Sequence, residues 1–275
     1  MSLRSSSIAL FLVGCVPIYD PIVICHNANC DGTGRFLDDT MIGLESSLAL
    51  RDRDNRPVFD GVEIDTFLFS PSVMQPSTCL FAHDSLNPKN AATPNDAAAL
   101  VAQHLSNGLP ISWNGERFYL KIELKPTVEG TDRFHTAQQA IQHVRCVIDM
   151  IEVATNVTPP VPVNVIIDST SECLHQDFED EMLLQNRTFT NPNVVLEHSG
   201  PIVSTRQCSD FPLDVRTFFV RSWRDSEIES IRPAMVWMDR SSENTETLKI
   251  IRHVRPEYVT TSAAPYVRGW IEGYR

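Results

Sequence analysis

The chain has 275 residues, 42% of them hydrophobic and 21% charged, the profile of a globular protein with enough length for one large α/β core. Its 35 acidic residues outnumber its 23 basic ones, for a net charge of -12. That balance excludes a general binder of nucleic acid or of anionic lipid surfaces, while leaving room for local capture of a phosphate through a metal or one buried lysine. The apolar core near the N-terminus runs only from Ile8 to Val13, too short to span a membrane. Residues 1–20 are read as a segment closing or preceding the main domain. Seven cysteines cannot all pair internally. Most read as buried apolar residues, and their spacing does not fit a structural zinc site. One disulfide in the loop after His26 is left open. The odd count and weak leader together favour a cytoplasmic location.

Pro21 to Cys25 is a continuous apolar run, as in a strand covered on both faces. Ile42 to Arg51 carries apolar residues at helical spacing, and Gly61 to Phe67 alternates with period two. Thr78 to Ala82 forms a short extra strand that delivers His83-Asp84 to a loop. Pro94-Asn95-Asp96 opens an alanine-rich helix reaching Leu105. Arg117 to Leu124 is the next strand, and Thr131-Asp132 caps a long helix ending near Ala154. Val161 to Ile167 is a strand, Ser171 to Leu184 a helix, and Asn193 to Leu196 a weaker strand. Further strands fall at Val215 to Val220, Ala234 to Met238 and Tyr258 to Thr261. Helices fall at Ser242 to His253 and Pro265 to Ile271. Eight strand–helix repeats predict an α/β TIM (β/α)8 barrel spanning 21–275 as a single domain.

Charged groups gather where these strands end. His26 directly follows the first strand. Glu63 and Asp65 lie two apart on the next, so both point to one face, and Glu123 and Lys125 do the same on the strand at 117–124. C-terminal strand ends line the active site of a barrel. Three carboxylates there exceed what one lysine balances, and a hard divalent cation, Mg2+ or Ca2+, supplies the missing charge. Such an ion polarises a phosphoryl oxygen. His26 and His83 suit acid–base chemistry on opposite sides of one phosphate, because histidine titrates near neutral pH.

These motifs resemble the glycerophosphodiester phosphodiesterase family, part of a wider group of phospholipase C-like barrel phosphodiesterases. The family's first strand ends in His-Arg-Gly; here it ends His26-Asn27-Ala28. Its Glu-Asn-Thr before a helix looks like Glu45-Ser46-Ser47, and its Gly-x-Glu-x-Asp strand appears as Gly61-Val62-Glu63-Ile64-Asp65. Its His-Asp-x-x-Leu appears as His83-Asp84-Ser85-Leu86, its Glu-x-Lys as Glu123-Leu124-Lys125, and a Trp-containing late strand as Val236-Trp237-Met238. The resemblance implies Glu63, Asp65 and Glu123 as metal ligands, and His26 and His83 as the acid–base pair. It also implies Lys125 on the phosphate, Glu45 bracing the site and Trp237 walling the pocket. Asn27 stands where the family has arginine and cannot make that residue's two charge-assisted phosphate bonds. Arg35, in the long loop from His26 to Glu45, is a candidate replacement.

The implied activity is hydrolysis of a glycerophosphodiester to sn-glycerol 3-phosphate and an alcohol. A small-molecule substrate is the expected partner, and the oligomeric state is left open. The alternatives are a phospholipase C-like, phospholipase D-like or sphingomyelinase D-like attack on a lipid, and a non-catalytic barrel that only binds a phosphorylated ligand.

Overall fold

The computed structural model describes residues 20–31, 37–69, 77–82, 91–108, 110–128, 136–169, 172–184, 186–201, 215–220, 235–238 and 245–273. Its strands are β1 (Ile22–Cys25), β2 (Gly61–Phe69), β3 (Thr78–Phe81), β4 (Phe118–Val128), β5 (Val163–Asp168), β6 (Val194–Pro201), β7 (Val215–Val220), β8 (Met235–Met238) and β9 (Tyr258–Thr261). Helices α1 (Met41–Ala49), α2 (Pro94–Ser106), α3 (Ala137–Thr155), α4 (Glu172–Leu184), α5 (Thr245–Val254) and α6 (Ala264–Glu272) are distributed between and after them.

The strands form one curled sheet in the order β1-β9-β8-β7-β6-β5-β4-β2-β3. All neighbours are parallel except β3, which folds back antiparallel on β2. β1 pairs with β9 along four residue pairs and meets β2 through only Ile24–Gly61 and Cys25–Val62. The expectation of a (β/α)8 barrel therefore holds as a curled parallel α/β sheet, and not as a fully closed, evenly zipped eight-stranded ring. β1 is four residues long and zips fully along one neighbour only. The extra antiparallel strand expected near Thr78 is β3.

Period-two alternation sorts each strand's side chains. Val62 and Ile64 of β2, Leu120, Ile122 and Leu124 of β4, and Val163, Val165 and Ile167 of β5 pack outward in the main core with α2 and α3 residues such as Val101, Val144, Val147 and Ile151. A second, smaller apolar cluster, Ile24, Tyr119, Ile166, Met235 and Tyr258, fills the inner face. Polar residues cap it toward the C-terminal ends of the strands. Gly61 lets β2 approach β4 closely: a Cβ there would lie 1.9 Å from the Tyr119 carbonyl oxygen.

Two helix starts are sharply defined. Thr93 and Asp96 form a reciprocal capping box at α2, and Thr136 and Gln139 do so at α3. The long helix thus begins at Ala137, later than Thr131-Asp132 implied; residues 131–135 lie outside the described residues. Cys25 pairs with Cys30, a disulfide in the loop after His26. Cys79 pairs with Cys146 and ties β3 to α3 across 67 residues, a loop constraint worth on the order of 4 kcal/mol. Among the described residues, Cys25, Cys30, Cys79 and Cys146 are therefore cross-linked instead of serving as free apolar residues.

Candidate metal centre

Parallel pairing brings the polar residues of several strands to one edge. Glu63 is in register with Lys121, Asp65 with Glu123, and Glu123 with Asp168. One carboxylate oxygen each from Glu63, Asp65 and Glu123 lies within 4.8 Å of the other two. The expected trio is thus brought together by adjacent strands, with Glu63 and Asp65 essentially inaccessible to solvent.

Two lysines thread this cluster. Lys125 Nζ is 2.8 Å from Asp65 Oδ2 and 2.8 Å from Glu123 Oε1. Its side chain keeps 18% exposure, enough to be reached from outside. Lys121 is sealed in. Its ammonium bonds Glu63 Oε1 and lies 2.6 Å from Asp168 Oδ2. Burial alone would lower both lysine pKa values. The adjacent carboxylates outweigh it, Asp168, Glu63 and Glu123 around Lys121, and Asp65 and Glu123 around Lys125, so both are raised and stay charged. The carboxylates Glu63, Asp65, Glu123 and Asp168, with Asp39 behind Asp65, outnumber the two ammoniums and leave a net negative charge that a divalent cation would offset.

The carboxylates register that deficit. Burial pushes Glu63 and Asp168 above the ordinary carboxylate range despite the pull of Lys121. Asp39, buried just before α1 with φ 47, is pushed well above it by burial and then by Asp65. Its Oδ1 accepts the Asp65 backbone N–H at 3.0 Å. Among the described residues, Glu63 Oε2, Asp39 Oδ2 and Asn27 Oδ1 are buried without a hydrogen-bond partner. Buried acceptors normally have one. Hard oxygen donors lacking a donor group, beside uncompensated negative charge, fit a Mg2+- or Ca2+-type ion.

His26 follows β1 in a tight turn, His26–Ala28, in which Asn27 and Ala28 take left-handed φ of 50 and 52. Non-glycine residues rarely adopt that conformation, and a surrounding frame must hold it. Ser47 supplies part of the frame. Its Oγ accepts the Cys30 N–H at 2.8 Å and donates to the Ala28 carbonyl at 3.0 Å. Asn29 donates to Asp38 at 2.7 Å, and the Asp39 N–H reaches the Asn27 carbonyl at 2.7 Å. His26 Nδ1 lies 3.1 Å from Ser262 Oγ after β9, and Nε2 faces Glu63 Oε2 at 3.9 Å. The imidazole therefore borders the carboxylate cluster.

The other expected residues fall differently. Glu45 lies inside α1 and is exposed. Thr40 is the helix cap, and from inside the helix Ser47 braces the turn after His26. Asn27 is buried beside His26. His83 and Arg35 lie outside the described residues, as does the Trp237 side chain, although its backbone belongs to β8. β3 ends at Phe81, paired with Thr66, and the Phe81 N–H donates to the Ala92 carbonyl at 2.9 Å. Of the two chain ends flanking residues 83–90, one thus pairs with β2 and the other bridges to β3. Lys121, Asp168 and Asp39 were missed. Lys121 had a signal, the period 121, 123, 125 on one face of β4. Asp168, last in the apolar run of β5, had a weaker one, and Asp39 lies on a loop with no period.

No protein-family model matches the chain, and no curated protein does. Among solved structures it is similar to a glycerophosphodiester phosphodiesterase from Parabacteroides distasonis ATCC 8503, with a TM-score of 0.54 at 11% identity over 92% of this chain and 98% of that one. At that identity the likeness concerns fold alone. A second similar structure is a calcium-dependent phosphoinositol-specific phospholipase C from a Gram-negative bacterium, Pseudomonas sp, with a TM-score of 0.45 at 11% identity over 88% of each chain. Within this fold, Glu63, Asp65 and Glu123 form a three-carboxylate cluster able to hold a divalent cation.

Proposed function

We propose that the chain is a metal-dependent phosphodiesterase whose curled sheet works as a (β/α)8 barrel and whose substrate is a glycerophosphodiester. The observation that carries this reading is the convergence of Glu63, Asp65 and Glu123 at the C-terminal strand ends, bridged by a partly accessible Lys125. Glu63, Asp65 and Glu123 would hold one divalent cation. When bound, that ion supplies Lewis acidity toward a phosphoryl oxygen and offsets charge in the transition state.

The chain's own residues supply the rest. Lys125 is the one lysine of the cluster that a substrate can reach, and it orients the phosphate. His26, placed by Ser262 and facing Glu63, exchanges a proton at Nε2. His83 takes the complementary role by its likeness to the family's His-Asp motif. Water attacks phosphorus, the phosphorus–oxygen bond to the alcohol breaks, one histidine accepts the water proton and the other protonates the leaving oxygen. The products are sn-glycerol 3-phosphate and the free alcohol. The two disulfides favour an oxidising compartment as the place of action over the cytoplasm.

The test is turnover of glycerophosphocholine, glycerophosphoethanolamine, lysophospholipids and sphingomyelin with Mg2+, Ca2+ or excess EDTA. Cation-dependent release of glycerol 3-phosphate from the first two is expected, with Glu123→Gln losing roughly a hundredfold or more in kcat/KM. Full activity of demetallated protein, or turnover confined to lipids, would reject the reading.

A further inference from the structure

Lys121 has no part in the steps above, yet it is among the largest fully buried side chains of the described residues. A lysine is almost never buried without partners, and here it has two. Its ammonium bonds Glu63 Oε1 and lies 2.6 Å from Asp168 Oδ2. The register explains why: Lys121 stands directly opposite Glu63 on β2, and Asp168 lies on β5, on the other side of β4. The consequence falls on Glu63. Oε1 is taken, while Oε2 is buried, without a hydrogen-bond partner among the described residues, and 3.9 Å from His26 Nε2. Glu63 thus has one oxygen committed to the protein and one available.

We infer that Lys121 is a positioning residue that sets cation selectivity: by holding one oxygen of Glu63, it makes Glu63 a one-oxygen ligand and biases the centre toward Mg2+ over Ca2+. The inference rests on the metal site proposed above. The physical ground is the difference between the two ions. Ca2+ takes roughly six to eight oxygens at ~2.3–2.6 Å and readily uses both oxygens of a carboxylate. Mg2+ demands about six at ~2.0–2.1 Å, accepts single oxygens and keeps several waters. Lys125 acts in the same sense, occupying Asp65 Oδ2 and Glu123 Oε1 at 2.8 Å each. Lys125 is exposed enough to swing toward a substrate. Lys121, at 3% side-chain exposure, is not, so a substrate does not compete for its hold on Glu63.

The test measures metal binding and not turnover. Isothermal titration of the full chain with Mg2+ and with Ca2+ gives the two dissociation constants and their ratio. The unaltered protein should bind Mg2+ more tightly than Ca2+ against the same buffer. Lys121→Met keeps side-chain length but frees Glu63 Oε1, and should shift the ratio at least tenfold toward Ca2+. Lys121→Arg retains a cation on Oε1 and should restore most of the Mg2+ preference. Should Lys121→Met fail to fold, Lys121→Met/Asp168→Leu removes the buried pair together, leaves no orphaned aspartate, and is read in the same way. Tighter Ca2+ binding by the unaltered protein, or a ratio that stays within twofold in a folded Lys121→Met variant, overturns the inference and leaves Lys121 a structural counter-charge. Loss of all cation binding in the unaltered protein would instead reject the metal site itself, so the two failures are distinguishable.

Discussion

Lys125 and Lys121 leave the same face of β4 four residues apart and meet different fates. Lys125 bridges Asp65 and Glu123 with 18% of its side chain exposed, while Lys121 is closed in between Glu63 and Asp168. Lys125→Met should therefore lower kcat/KM for a phosphodiester by about tenfold to a hundredfold, with cation affinity unchanged or slightly stronger, because a competing cation has gone. Steady-state kinetics together with a metal titration check this; unchanged kinetics would leave Lys125 as a counter-charge. Period two made Glu63, Asp65, Glu123 and Lys125 legible in the sequence, since same-face spacing is a local property. Lys121 shares that spacing, but its burial depends on Asp168 from another strand, and cross-strand pairing cannot be read from one segment. Asp39 depends on a left-handed loop residue and on a contact to the Asp65 backbone, neither of which leaves a pattern. Thr40, with its side chain accepting the Gly43 N–H, caps α1 one residue before the start at Met41 and leaves Glu45 inside the helix.

Elements with a strong period were legible to within a few residues: β2 from alternation, β5 from its apolar run, α2 from Pro94-Asn95-Asp96 and its alanines. The start of α3 was placed too early: Thr131-Asp132 offers a single cap, whereas Thr136 with Gln139 three residues on forms the reciprocal capping box. Helix α2 also carries a pH-sensitive contact. His104 is buried near the Phe59 and Phe118 rings, with Nε2 3.0 Å from the Ile111 carbonyl. Burial lowers its pKa below the usual histidine value. Between the lowered folded pKa and the unfolded value near ~6.5, the unfolded chain binds the extra proton. The stabilising contribution of neutral His104 is thus complete above about pH 6.5 and is lost as the pH falls through that range. His104→Gln keeps an amide donor for Ile111 but cannot titrate. Its thermal midpoint should fall less between pH 7.5 and pH 5.5 than that of the parent, by differential scanning calorimetry. An identical fall in both proteins would contradict the assignment.

For the molecule as a whole, the alternation of strands and helices predicted the α/β class and its parallel sheet. The degree of closure was not predictable, because it depends on how many residue pairs the short β1 shares with β2. The Cys79–Cys146 bond was also out of reach, since a pairing over 67 residues needs β3 and α3 in place first. What the folded sheet achieves is local: parallel strands end on one side, and the carboxylates that meet there outnumber the two lysines. The claim that a divalent cation supplies the balance is tested most directly by anomalous diffraction from crystals grown with Mn2+, which occupies Mg2+-type oxygen sites. The account predicts one strong peak at about 2.0–2.4 Å from an oxygen of each of Glu63, Asp65 and Glu123. No peak at saturating Mn2+, or a peak that avoids these three residues, would contradict it.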